Sequence, residues 1–334
     1  MKLNLKSSFA ALVFALVSSV LAPNLHAAEA LTSFQDSPDV QEFITKMHEQ
    51  YNFDVDSLQR DFASVSPNSA VLRAIRPPAS PATQRSWQRY RARFLNATQT
   101  RNGLKFWQKN IVELERAAEI YGIPPEIIVA IIGIETAYGQ NMGQFSVLEA
   151  LATLAFDYPP RAEFFRSELE AFFLLARENG YDPLDYQGSY AGAIGIPQFM
   201  PSSLRQYAVD FDGDGRIELR DSPSDAIGSV ARFLKLHGWQ NGAPIALPAQ
   251  VEGDPSELIA AGIKPSEALK NLVGVTSDGD PELPAALIDL VTPKKATEYW
   301  VGFNNFYVIT RYNRSSFYAM SVYQVAQSLR ETKP

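Results

Sequence analysis

Residues 124–139 read Pro-Pro-Glu-Ile-Ile-Val-Ala-Ile-Ile-Gly-Ile-Glu-Thr-Ala-Tyr-Gly, a stretch that leaves the chain few choices. The two prolines suit a first helical turn, where missing amide donors cost little. The apolar run behind them needs burial in any folded state. Glu135 stands four residues after Ile131 and three after Ile132, on the same helical face as that apolar stripe. An ionised carboxylate is costly to bury, so such a group is paired with a cation such as Arg, kept protonated, or used. A carboxylic acid still protonated near neutral pH is what general-acid cleavage of a glycosidic bond requires.

The chain has 334 residues, 46% of them hydrophobic and 20% charged, enough for a sizeable core in one large domain or a few small ones. Lys2 and Lys6, an uncharged apolar run over residues 9–21, and small residues at Ala27, Ala28 and Ala30 read as a secretory signal peptide, residues 1–27, cut near Ala27. The run is short for a membrane anchor, and no later segment has the length and apolarity to span. Removing residues 1–27 takes away two Lys and moves the formal charge from −7 to −9. A surface this acidic is a poor partner for nucleic acid. There are 0 Cys, which excludes disulfides, thiolate catalysis, Cys-ligated zinc and a lipid on an N-terminal Cys. The mature chain is expected to be soluble in an exported compartment.

The pattern divides the rest. Residues 28–85 form a helical region, with residues 40–51 the clearest helix and Pro77, Pro78 and Pro81 as a break. Residues 86–242 form a core in which helices are expected over 103–121, 124–138, 145–156, 161–179 and 223–237, with a Gly-, Ser- and Pro-rich loop over 182–203 leading into a short helix. Residues 243–303 change texture: prolines recur and short apolar runs such as 285–291 are bounded by turn signals, so a small β-containing domain is expected. Residues 304–334 close the chain, with a candidate strand at 307–310 and a helix over 316–329.

Two loops have chemical content. The stretch 188–203 is Gly-Ser-Tyr-Ala-Gly-Ala-Ile-Gly-Ile-Pro-Gln-Phe-Met-Pro-Ser-Ser. Its glycines allow close approach of backbone to a ligand, and Ser189, Gln198 and aromatics including Phe199 supply the hydrogen bonds and stacking of a sugar cleft; a tight interhelical loop is the plainer account. The stretch 210–221 is Asp-Phe-Asp-Gly-Asp-Gly-Arg-Ile-Glu-Leu-Arg-Asp. It matches a twelve-residue calcium loop with Asp210, Asp212 and Asp214 at positions one, three and five and Gly215 at six. Arg216 offers only its carbonyl, and Asp221 replaces the usual Glu at twelve. With a single such loop, a structural ion fits better than a sensor; an acidic solvated loop is the alternative. The 3 His (His26, His48 and His237) lie in no catalytic motif, and no HExxH, P-loop, nucleophile elbow or dinucleotide fingerprint is present.

Glu135 in Gly-Ile-Glu-Thr, the loop from Ser189 to Ser203 and the loop at Asp210 together resemble the membrane-bound lytic transglycosylase B family of peptidoglycan-cleaving enzymes. The likeness runs over residues 87–237 and 304–318, and includes Tyr-Gly-Ile-Pro-Pro-Glu and Gln-Phe-Met-Pro-Ser-Ser. It implies a mainly α (α+β) fold: a lysozyme-like helical core with an EF-hand-like calcium loop, an added helical domain and a small β-containing domain. It implies cleavage between N-acetylmuramic acid and N-acetylglucosamine with a 1,6-anhydro end, Glu135 serving as acid and then base. Ser189, Gln198, Tyr90, Tyr312 and Tyr318 match substrate-cleft positions, and Arg161 matches the second of two basic residues. Here the first is Pro160, and Phe164 stands where some members have Tyr. It also implies peptidoglycan strands as partner, a place in cell-wall synthesis or lysis complexes, a Ca2+ ion with no organic cofactor, and, without a lipidated Cys, a periplasmic location. Two other readings remain at this point. A hydrolytic muramidase on the same scaffold needs a second carboxylate, for which Asp157 and Glu163 are nearest in sequence. A noncatalytic peptidoglycan-binding protein gains little from a buried acid.

Overall fold

The computed structural model describes residues 33–35, 37–76 and 86–332; the signal-peptide segment and the proline break lie outside them. Three N-terminal helices, Pro38–Tyr51, Val55–Ala63 and Ser69–Ile75, follow one another through short capped turns. Asp54 accepts the Ser57 amide at 2.7 Å, and Asn68 accepts the amides of Ala70 and Val71, satisfying donors that a helix start leaves free. Their apolar faces pack onto the pair Val147–Asp157 and Ala162–Asn179. Phe43 and Phe62 meet Phe156 and Phe173 there, with ring centroids 5.7–6.2 Å apart.

At the centre runs the helix Pro125–Thr136, with residues 127–133 and Thr136 buried. The helices Ala97–Lys109, Ile111–Tyr121, Pro223–Leu236 and Ser316–Thr332 surround it. The single helix expected over 103–121 is therefore two. Asn110 interrupts it, turning its side chain back to donate to the Phe106 carbonyl at 2.8 Å, a local bond that competes with helix continuation. Gly133 is where another ring closes in: a Cβ there would lie 2.6 Å from Tyr138.

The small sheet has five antiparallel strands in the order Glu267–Ala268, Pro284–Leu290, Glu298–Gly302, Ala246–Val251, Val275–Thr276. Ala286, Ile288 and Leu290 face the main core, while Ala285 and Val301 join Leu269, Leu272 and Phe303 in a second cluster. Residues Ala285 to Ile288 and Leu290 of this strand are buried on both faces, so the strand reads as an apolar run broken only by the partly buried Asp289 rather than as a strict alternation. The expected strand at 307–310 is instead part of the helix Asn304–Tyr312. Val308, Ile309 and Thr310 are β-branched and read as a strand, but all three are buried by packing around a helix. The buried Asn305 ties its start to the chain at Gln240, accepting the Gln240 amide at 2.9 Å and donating to its carbonyl at 2.7 Å. Among the described residues no single helix is long and apolar enough to cross a membrane.

Candidate active site

Glu135 occupies the last turn of the central helix. Immediately afterwards Ala137 (φ 49°) and Tyr138 (φ 64°) both adopt the left-handed conformation and reverse the chain. Two successive non-glycine residues there are uncommon and cost energy, a pattern concentrated at functional sites. The side chain of Thr136 holds this reversal. Its hydroxyl donates to the Ile196 carbonyl at 2.9 Å and accepts the Gly139 amide at 3.0 Å.

The Glu135 carboxyl keeps only partial exposure. Tyr318, from the helix Ser316–Thr332, donates its hydroxyl to Glu135 Oε1 at 2.6 Å. Tyr312 lies parallel to Tyr318, with centroids 6.3 Å apart and planes at 13°, and donates to the Pro197 carbonyl at 2.5 Å. Tyr90 stands on Phe317 and Phe94. Desolvation pushes the Glu135 acid up to about 7, and the Tyr318 hydrogen bond pulls it partway back. Burial raises Tyr312 and Tyr318 well above the ordinary phenol range, with Glu135 adding to both. The phenols therefore stay protonated, as donors. Neither a cation nor a second carboxylate acts on Glu135 among the described residues, so an ion pair with Arg does not account for it.

The loop at Ser189 is built by its own hydrogen bonds. Ser189 Oγ accepts the amides of Ala191 and Ala193 at 3.3 and 3.0 Å, which leaves the hydroxyl proton available to a ligand. Gln198 is left-handed (φ 52°) and donates through Nε2 to the carbonyls of Met142 and Gly195 at 3.1 and 2.9 Å. Gly195 (φ +74°) permits the close approach of Leu219, whose carbonyl oxygen would lie 2.5 Å from a Cβ. The next amide, of Ile196, then donates to that same carbonyl at 2.8 Å.

Not every expected contact residue faces the cleft. Phe199 is 2% exposed and packs on Phe233 and Tyr312; it supports Tyr312 and has no free face for a sugar. Tyr318, also 2% exposed, backs the carboxyl rather than offering a stacking surface. Arg161 is exposed, its guanidinium over the rings of Phe164 and Phe165 at 4.4 and 5.0 Å, and no hydrogen bond or ion pair joins it to Glu135. Asp157 and Glu163 do not act on Glu135 either.

The acidic loop also differs in part from expectation. Asp210, Asp212 and Asp214 each present a carboxylate oxygen, all within 4.8 Å of one another. Asp210 accepts the amides of Gly213, Asp214 and Gly215, and Asp214 accepts that of Arg216. A cluster of hard oxygens preset by backbone donors suits a hard cation. The Arg216 side chain is exposed. Asp221 lies outside the cluster: the following helix starts only at Pro223, so position twelve falls in an exposed turn. The carboxylate that organises the loop is Asp225, 1% exposed, which accepts the amides of Phe211, Asp212 and Glu218 at 2.8, 3.4 and 2.8 Å. Sequence reading missed it because it lies beyond the twelve-residue motif. The available signal was Ser222 three residues before it, whose Oγ accepts the Asp225 amide at 3.1 Å.

The model of the transglycosylase SLT domain matches residues 35–327. The chain belongs to the transglycosylase SLT family. It is 43% identical to membrane-bound lytic murein transglycosylase B of Escherichia coli (strain K12), over 93% of this chain and 88% of that protein. Among solved structures it is similar to soluble lytic transglycosylase SltB1 from Pseudomonas aeruginosa (TM-score 0.82, 46% identity, 89% of this chain and 99% of that one). It is likewise similar to the Escherichia coli lytic transglycosylase Slt35 in complex with calcium (TM-score 0.76, 42% identity, 89% and 94%). As a member of the SLT family the chain is an enzyme of the lytic transglycosylase class, on a mainly helical, lysozyme-like fold with a small sheet.

Proposed function

We propose that this lytic murein transglycosylase cleaves the β-1,4 bond between N-acetylmuramic acid and N-acetylglucosamine with one carboxyl. The observation that supports this most is Glu135 itself: a desolvated acid pushed up to about 7, facing a phenol donor, with no second carboxylate acting on it among the described residues. A group poised near neutral pH serves equally as acid and base.

Protonated Glu135 donates to the glycosidic oxygen as the bond to C1 breaks, and the leaving sugar departs as an alcohol. The acetamido oxygen of the muramic residue stabilises the positive centre developing at C1, as in substrate-assisted glycosidases. The free Ser189 hydroxyl proton is suited to orient that acetamido group. Glu135, now a carboxylate held by Tyr318, takes the proton of the C6 hydroxyl, whose oxygen closes on C1. Glu135 is thereby reprotonated and no water is consumed. Tyr90 and Tyr312 line the approach, and the side-chain oxygen of Gln198 offers an acceptor to a sugar hydroxyl.

Asp210, Asp212 and Asp214 would hold a Ca2+ ion, in keeping with the calcium complex of Slt35. The ion would have no part in the chemistry. It would brace the loop that hands the Leu219 carbonyl to Ile196, and through Ile196 would brace Thr136 beside Glu135. The N-terminal segment supports export to the periplasm. Mass analysis of products from purified murein tests the reaction: ends lighter by one water than reducing ends are expected. Reducing ends alone would overturn the intramolecular step in favour of hydrolysis.

A further inference from the structure

The helix Ala97–Lys109 contains no acidic residue, and Arg101, Lys105 and Lys109 recur on it at every fourth position, on one face. All three are exposed, and none takes part in an ion pair among the described residues. Like charges four apart repel along a helix, so the stripe works against the element that bears it. It is also out of character for a chain with 37 acidic and 30 basic residues.

The stripe borders two cavities. Arg101 and Lys105 line one of about 650 Å³ together with Asn96, Thr100 and Gln108. Lys105 and Lys109 line a second of about 250 Å³ together with Asn102 and Gln140. Among the described residues neither has a carboxylate in its wall. The smaller cavity is also walled by Tyr138 and Ile196, three residues after Glu135 and two before Gln198. The segments that frame the catalytic carboxyl thus supply a wall of this cationic pocket.

We propose that the stripe is a subsite for the carboxylates of the peptide borne by the murein strand under cleavage. The inference rests on the functional reading above and adds to it a contact for the substrate's peptide. Murein peptides end in free carboxylates on flexible stems. Lysine ammonium groups bind these as mobile point charges, and amide side chains such as Asn102 and Gln140 complete the hydrogen bonding. The contacts are solvent-facing, so their strength should fall as salt rises.

The experiment compares wild type with Lys105→Gln/Lys109→Gln on peptide-bearing murein and on the same strands stripped of peptide by an amidase. Lys294→Gln/Lys295→Gln, which removes two exposed charges elsewhere, serves as control. On peptide-bearing murein KM is expected to rise about fivefold in the Lys105/Lys109 variant at low salt, with kcat unchanged and the difference lost at high salt. On stripped strands the variant should match wild type, as should the control on both substrates. Equal losses on both substrates, or none on either, would overturn the proposal. So would unchanged murein kinetics accompanied by lost binding to anionic phospholipid vesicles, which would assign the stripe to a membrane surface. A wild type inactive on both substrates would instead overturn the functional reading, and this inference with it.

Discussion

The end of the central helix and the loop over residues 210–221 both use carboxylates, in opposite settings. Glu135 is a lone acid among tyrosines, desolvated, with one phenol hydroxyl as its partner. Asp210, Asp212 and Asp214 are crowded together near the surface, with backbone amides donating to Asp210 and Asp214 to set their positions. The first setting favours the protonated form and so makes a proton donor. The second concentrates negative charge that a cation can relieve. The same functional group becomes a reagent or a ligand according to solvation and neighbours, and a thread of backbone joins the two. The Leu219 carbonyl binds the Ile196 amide, and the Ile196 carbonyl binds Thr136, next to Glu135.

The comparison breaks most sharply at Glu135→Gln, which keeps shape and removes the transferable proton. Turnover on murein should fall by about a thousandfold or more; near wild-type release of anhydro products would end the assignment. The same variant carries a stability signature. Because the folded acid sits above its unfolded value of 4.5, at about 7, the native state holds the proton more tightly. Stability from this group is therefore lost as pH rises between those values and stays low above them. Thermal melts at pH 8 should show Glu135→Gln more stable than wild type, by about 3 kcal/mol, with the gap shrinking toward pH 5. For wild type, kcat/KM should decline as pH passes through about 7.

Next in size, Tyr318→Phe should cost about tenfold in kcat, the worth of a hydrogen bond to a charged group. Because that bond lowers the Glu135 value, the alkaline limb of the rate profile should also move to higher pH. An unmoved limb would mean that Tyr318 supports the fold alone. At the acidic loop, chelation should lower Tm, and Asp212→Ala/Asp214→Ala should abolish that response; identical melts with and without calcium would remove the ion from the account. The smallest effect is expected at Asp221→Ala. With Asp221 outside the cluster, the stabilisation by calcium should persist within about 0.5 kcal/mol, whereas its loss would restore Asp221 as a ligand.

Much of the site could be read along the chain where its groups are neighbours. Asp210, Asp212 and Asp214 alternate within five residues, and Glu135 stands out against seven apolar neighbours before it. The groups that complete the site lie far away in sequence. Tyr318 is 183 residues from the carboxyl it binds, and Tyr312 is 115 from Pro197. No periodicity encodes such pairings, and only the family likeness pointed to these tyrosines. It could not say that Tyr318 backs the carboxyl while Phe199 lies beneath Tyr312. The misread elements share one cause: the strand expected at 307–310 and the unbroken helix over 103–121 follow local pattern, whereas burial and a side-chain bond at Asn110 prevailed.

Local order in the chain thus specified a greasy central helix ending in an acid, three alternating aspartates in a calcium-loop pattern, and a short apolar run bounded by turn signals. Those features depend on residues a few positions apart, whose spacing converts directly into shared faces. Tertiary packing decided the rest. The central helix is buried nearly all round, so its apolar face alone does not aim Glu135 at the cleft. Its place in the last turn, the left-handed reversal after it and the tyrosine brought in from the closing helix do so. Desolvation, and with it the protonation that the chemistry needs, is a property of what surrounds a group, and only the fold supplies surroundings.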